Sequence, residues 1–532
     1  MNIRARIERQ STVLRCGVGR LICKLVMCGV VAGGAHAGTL PAMVDGYCDL
    51  NDTDVLCGTK VEIDHSVIHP AKYTDASGHF GPWGGVLPGW HTFTYTRLGY
   101  ETKEVDYKVP WLGCTLPKVT LKTKAQCDAS EWKDLPYELP GTTIMFPYDE
   151  GEHKPTSTYR VEWWYMNMRL TTADGESYGA FAAFFKPPAL VSPCMVLMSI
   201  IDLKQGKLYS DAKLPALWDA HDEWLDLQAG ILPGDRWSNT LCEGALIPYK
   251  YELSVSGNDG GSIWLDLDMQ SMKRPMPVGG DGRVEFTDGI WSYYYSQPRV
   301  EVAGKMHVPS FPLLGKEVTG HGWIDHQWAN FPSKKVTWEW MSINLDDMRD
   351  IMVANVWVGG EAAGSFSGGL NYYDADCALE VLEGYTMTPI ATWTDWETGK
   401  EFATGWSVTE PTKEIDLVVS ALFDHQIMRI GENEILPLCF WEGACDVKGT
   451  IGGKWVTGTA YAEVTHAYEP PPCDADITGD GVVDVLDLLE VLGGWGLCPP
   501  IYPPYCPADI TGDGVVDVLD LLEVLSGWGV CG

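Results

Sequence analysis

A duplication at the carboxyl-terminal end constrains this chain more than any other feature. Residues 476–496 and 509–529 are identical except for Gly493 against Ser526. Each copy opens on a loop whose oxygen-bearing residues recur at fixed, mostly alternate places. In the first loop these are Asp476, Thr478, Asp480, Asp484 and Asp487; Gly481 takes the sharp turn and the Val482 carbonyl completes the set. The second loop repeats the pattern with Asp509, Thr511, Asp513, Val515, Asp517 and Asp520 around Gly514. Calcium is a hard cation that takes six to eight oxygens, so one calcium per loop is the expected occupant. Threonine at the third position weakens one ligand. Val485, Leu488 and Leu492 then predict a short helix with one apolar stripe after the loop.

This duplicated loop-then-helix unit resembles the dockerin module. The resemblance implies a small α-helical calcium-binding domain over residues 473–532. It also implies calcium-dependent docking to a cohesin-like protein or a cell-surface scaffold. Cys473 and Cys498 bracket the first repeat and Cys506 and Cys531 the second, so each repeat is expected to close its own disulfide. The connector between Cys498 and Cys506 is proline-rich and extended in character.

At the other end, Arg4, Arg6, Arg9, Arg15 and Arg20 precede a short apolar stretch and then Ala35-His-Ala37. That is the pattern of a secretory signal peptide over residues 1–37, and it makes the protein secreted, extracellular or associated with the cell surface. No later apolar run is long enough to span a bilayer. Removing the segment leaves 32 basic against 71 acidic residues, so the net charge moves from −34 to −39. So anionic a surface excludes nucleic acid and anionic membranes as natural partners.

Between the two ends the chain reads as mainly β. Residues 38–150 form an accessory segment rich in Gly and aromatics, with Cys48, Cys57, Cys114 and Cys127 placed to staple it. Beyond it come short strands separated by glycine turns at 259–261, 279–282 and 452–453. Five strings recur in a fixed order: Val161-Glu-Trp-Trp-Tyr165, Tyr293-Tyr-Tyr-Ser-Gln-Pro-Arg-Val300, Gly320-His-Gly-Trp-Ile-Asp-His-Gln-Trp328, Phe440-Trp-Glu-Gly443 and Gly458-Thr-Ala-Tyr-Ala-Glu-Val-Thr465. Together they resemble the AttH and carotenoid 1,2-hydratase (hydroxyneurosporene synthase) family. The resemblance implies two fused lipocalin-like β-barrels, expected at 151–290 and 291–468.

The hydratase members of that family add water to an isolated alkene. Such chemistry needs an acid strong enough to protonate carbon, and a carboxylic acid kept neutral in an apolar pocket is one solution. Asp325 is the expected acid and Glu162 the second carboxyl. Trp163, Trp164, Tyr294 and Trp323 are expected to line the substrate cavity or to face a cation. Strand alternation puts His321, Trp323 and Asp325 on one face and His326 and Trp328 on the other. His321 and His326 therefore do not share a metal, and the barrels are expected to carry no cofactor. The same alternation groups Glu162 with Trp164, and Trp163 with Tyr165.

Three functions follow. The first is a hydro-lyase or isomerase type of enzyme that hydrates, cyclises or isomerises a lipophilic isoprenoid or polyketide-like substrate. The second is a carrier that holds a lipid without chemistry. The third, prompted by the tail, is a polysaccharide-degrading hydrolase with Glu162 and Asp325 as its carboxyl pair.

Overall fold

The computed structural model describes residues 42–530 except 126, 128, 155–160, 188–193, 216, 232–233, 288, 331–335, 359–360, 363–368, 431–437, 468–474, 479–481 and 499–505. The expected signal peptide, Asp480, Gly481, Cys473 and Cys531 lie outside the described residues. No helix among the described residues is long and apolar enough to cross a membrane.

Two large curled antiparallel sheets dominate. The first has thirteen strands and the second eleven among the described residues. At the centre of the first, Val161–Thr172 lies between Ser177–Lys186 and Lys316–Ala329, and Lys316–Ala329 pairs in turn with Ile290–His307. At the centre of the second, Val336–Leu345 lies between Asp350–Val358 and Lys454–Val464, which pairs with Leu438–Ile451. The division therefore falls between Ala329 and Val336 rather than at 290/291. The strands from 290 to 329 hydrogen-bond to the Val161–Thr172 and Ser262–Ser271 strands, and so complete the first sheet.

Each central strand is apolar on both faces. From Val161–Thr172, Trp164, Met166, Met168 and Leu170 point into the core of the first sheet. Tyr165, one step out of phase, joins a second core in which Phe181, Ile201, Tyr294 and Trp323 meet Trp340, Met352 and Tyr461 of the other sheet. The two sheets thus stack through a shared apolar layer, and burial on both sides explains the near-continuous apolar runs in these strands.

Residues 42–121 form a separate small sandwich of two four-stranded sheets around Val44, Ile63, Phe80, Trp83 and Phe93. The accessory segment is not one unit, because Trp132, Leu139, Ile144 and Phe146 enter the core of the first sheet. Nor do its cysteines staple it internally. Cys57 pairs with Cys242 of the first sheet and Cys127 with Cys377 of the second, while Cys48 and Cys114 are free thiols.

The tail contains the two expected helices, Val485–Gly493 and Val518–Ser526. Asp484 and Asp517 cap them, each with a reciprocal capping box. Leu488 and Val491 pack inward, whereas Val485 and Leu492 are half exposed, so the buried face is rotated from the expected stripe. The expected pairing within repeats is overturned: Cys498 bonds to Cys506, across the connector. Short strand pairs cross between the repeats, 482–483 with 529–530 and 496–497 with 515–516, so the repeats fold onto each other rather than closing separately.

Candidate functional site

A narrow cleft of about 50 Å³ opens between the two large sheets. Trp163, Tyr165, Tyr294, Asp325 and Gln327 line it from the first sheet, and Trp338, Trp340, Met352, Ala354 and Glu463 from the second. Most of the wall is aromatic or aliphatic, and two carboxyls are set into it.

Asp325 is buried on Lys316–Ala329. Its Oδ2 accepts from the Tyr294 hydroxyl at 2.6 Å, and its Oδ1 from the Ser296 hydroxyl at 2.5 Å and the Trp323 indole at 2.7 Å. Burial pushes its carboxyl up to about 6, and these three donors hold it from rising further. Trp323 is fully buried, so it supports Asp325 rather than lining the cavity.

Glu463 keeps partial exposure towards the cleft. Burial drives it up to about 8, opposed by the Trp338 indole and raised further by the charge of Asp325. Behind it, Glu442 accepts from the Tyr165 hydroxyl at 2.7 Å. Its other oxygen, Oε2, is buried with no partner among the described residues. Burial first, and then the charge of Glu463, hold this acid neutral well above the usual carboxylate range.

The two walls are related by internal repetition. Val161 to Leu170 matches Val336 to Leu345 residue for residue, with identities at Val161/Val336, Trp163/Trp338, Met166/Met341 and Leu170/Leu345. Leu170 pairs with Gly320 in one sheet and Leu345 with Gly458 in the other. In both places a Cβ on the glycine would sit about 2 Å from a carbonyl, 2.0 Å from that of Arg169 and 2.2 Å from that of Asn344. Counting on from these glycines, Asp325 corresponds to Glu463 and Trp323 to Tyr461. Equivalent residues also meet across the cleft. Trp163 and Trp338 lie parallel within 7° with centroids 6.4 Å apart, and Asn167 donates to Ser342 at 3.1 Å. The site therefore lies on a local pseudo-two-fold axis. Glu463 was not singled out from the sequence, although the repeated Val-x-Trp string and the two glycines carried the signal.

Of the residues expected from the sequence, Asp325, Trp163 and Tyr294 line the cleft. Glu162 and Trp164 do not. They point to the opposite face, where the Trp164 ring stacks on His326 with centroids 4.6 Å apart. There Glu162 meets His326 at 3.0 Å and the His153 ring at 2.7 Å, a histidine that sequence reasoning missed. Alternation along the strand is the cause: Glu162 pairs with Trp328, and Tyr165 with Asp325. Glu162 and Asp325 thus do not form one carboxyl pair. His321 and His326 face opposite ways as expected; His321 meets Thr459 at 3.0 Å, and burial holds its ring down at about 4.

A family model described as AttH-like matches residues 137–467. No curated protein matches the chain. Among solved structures, a Nitrosomonas europaea protein described as an AttH aligns with a TM-score of 0.50 at 22% identity, covering 61% of this chain and 98% of its own. Kievitone hydratase from Nectria haematococca aligns with a TM-score of 0.48 at 16% identity, covering 63% of this chain and 97% of its own.

Proposed function

The chain belongs to the AttH-like family, and from that premise we propose that the cleft between its sheets binds a lipophilic small molecule and transfers protons on it, in a hydration, cyclisation or isomerisation. The observation that carries this reading is the pair of carboxyls, Asp325 buried and Glu463 partly buried, that face one aromatic-walled cleft. Their environments separate their proton affinities. At pH 7 Glu463 holds its proton and Asp325, steadied by three donors, has largely lost its own. Asp325, the acid expected from the sequence, thereby becomes the acceptor and Glu463 the donor.

For a hydration, Glu463 gives its proton to one alkene carbon. Water adds to the adjacent cationic carbon and passes a proton to Asp325. Return of that proton to Glu463 restores the site, with net addition of one water. The faces of Trp163, Trp338 and Trp340 stand where a cation would develop, and such contacts contribute about 2 kcal/mol when desolvated.

Solvent extraction of the purified protein followed by mass spectrometry tests the binding half. Recovery of one apolar species in near-stoichiometric amount is expected. With that species in hand, Glu463→Gln and Asp325→Asn should keep the ligand and lose turnover. Retention of the ligand with no product from wild type favours the carrier reading instead. The polysaccharide-hydrolase reading has lost its carboxyl pair, and sugar release from a polysaccharide panel would revive it.

The tail we assign as a calcium-dependent docking element of a secreted protein. Its donors are all oxygens, as calcium requires. Asp487 and Asp520, which close the two loops, are buried and accept backbone N–H groups from Thr478 and Asp484, and from Thr511 and Asp517. Asp509 and Asp513 likewise accept N–H groups within the second loop. Leu486, Leu489 and Trp495, with their counterparts Leu519, Leu522 and Trp528, remain about half exposed and offer an apolar surface to a cohesin-like partner.

A further inference from the structure

On the face of the first sheet that points away from the cleft, three ligand atoms converge on one point. His153 Nδ1, Glu162 Oε1 and His326 Nε2 all lie within 4.8 Å of one another. Asp149 orients both imidazoles. Its backbone carbonyl accepts from His326 Nδ1 at 2.9 Å, and its carboxylate Oδ1 lies 3.0 Å from His153 Nε2. Each ring thus has its outer nitrogen on an oxygen of Asp149 and its inner nitrogen turned to Glu162. The backbone N–H of His153 donates to both oxygens of Glu162 at 3.1 Å, and Lys186 stands 3.9 Å away, so Glu162 is held as a carboxylate. Two imidazole nitrogens and a carboxylate oxygen thus meet in one largely buried cluster, where a proton or a metal cation has to sit between them.

We propose that His153, Glu162 and His326 form a binding site for a divalent transition metal, with zinc the ion that this donor set fits best. Two histidines and one carboxylate leave a fourth position open, and the outer nitrogen of each histidine already has the oxygen partner that metal-bound histidines use. Ligands at 2.0–2.1 Å around a tetrahedral ion stand about 3.3 Å apart. The two separations from Glu162 Oε1 are 2.7 Å and 3.0 Å, so these contacts lengthen by a few tenths of an ångström to admit the ion, and the two imidazole nitrogens already lie within 4.8 Å of each other. His153, with 18% of its side chain exposed against 4% for Glu162 and none for His326, provides the entry path. The bound ion would fasten the segment before His153, which carries Glu150 down to Tyr251 and Asn239, onto the sheet.

The test uses the full chain, stripped of metals and then saturated with calcium so that the tail loops do not compete. Cobalt(II) and zinc chloride are titrated in, with visible absorption and bound metal per chain as readouts. One cobalt with the intense absorption of a four-coordinate site, displaced by one zinc, is expected. His153→Ala and Glu162→Gln should weaken binding by more than about 100-fold. His153→Ala lies at the edge of the cluster, and circular dichroism establishes that it folds. Wild type that takes up no zinc, or either folded variant binding as wild type does, overturns the proposal in favour of protons as the only cations in the cluster.

Discussion

Asp350 sits where the two large sheets lock together, and replacing it by Asn should loosen both. Its carboxylate is fully buried and accepts from Lys273 Nζ at 2.8 Å and Asn344 Nδ2 at 2.8 Å, with Arg299 Nε an ion-pair neighbour at 2.9 Å. Lys273, also fully buried, reaches the carbonyls of Met348 at 2.6 Å and Asp374 at 2.8 Å. Burial pushes the Asp350 carboxyl up and the Lys273 ammonium down, which shows how much hydration each has given up. The intact pair is therefore weak evidence for stability, but removing one member strands the other. Asp350→Asn leaves two cations facing a neutral amide, at a cost of about 3–5 kcal/mol. Lys273→Met leaves Asp350 with Arg299 and should cost less. A domain of this size loses about 2 °C in Tm per kcal/mol, so thermal melting should fall by about 6–10 °C in Asp350→Asn. A loss below about 2 °C, or an equal loss in Lys273→Met, would refute the reasoning.

Other outcomes follow from the same geometry. Burial raises Glu463, so its contribution to stability is fully present below about pH 4.5 and lost as pH rises through about 8. Glu463→Gln should therefore melt above wild type at pH 9 and no longer do so at pH 5. Peptide mapping under non-reducing conditions should recover Cys57 with Cys242, Cys127 with Cys377, and Cys498 with Cys506. Chelation of calcium by EGTA should lower the helical signal of the tail and leave the melting of the large sheets in place, as separate transitions in calorimetry would reveal.

Much of the fold was legible because it is written in local periods. Alternation along Val161–Thr172 separated Glu162 and Trp164 from Trp163 and Tyr165, and the structure keeps them on opposite faces. The family expected from the ordered strings is the one whose model matches. What remained hidden depends on partners distant in sequence. Both faces of the central strands are apolar, so nothing local marks which one meets the other sheet. The strands from 290 to 329 carry no address that assigns them to the first sheet, and pairing across the chain decides it. Cysteine spacing favoured neighbours, while the actual bonds span 185 and 250 residues in the body and only eight in the tail. His153 joined the Glu162 cluster unannounced for the same reason, since an isolated histidine near a strand has no period to betray its face. Glu463 was readable in principle, through the Gly458 that answers Gly320.

The account rests on the cleft between the sheets being the place where a lipophilic molecule binds. Titration with N-phenyl-1-naphthylamine, a neutral apolar probe whose fluorescence rises on burial, tests this directly when wild type is compared with Ala354→Trp. Ala354 is a buried residue of the cleft wall, so an indole there fills the space. Saturable binding of one probe per chain by wild type, kept in Glu463→Gln and abolished in Ala354→Trp, is the expected result. A wild type that binds no probe, or an Ala354→Trp variant that binds it as wild type does, would contradict the account.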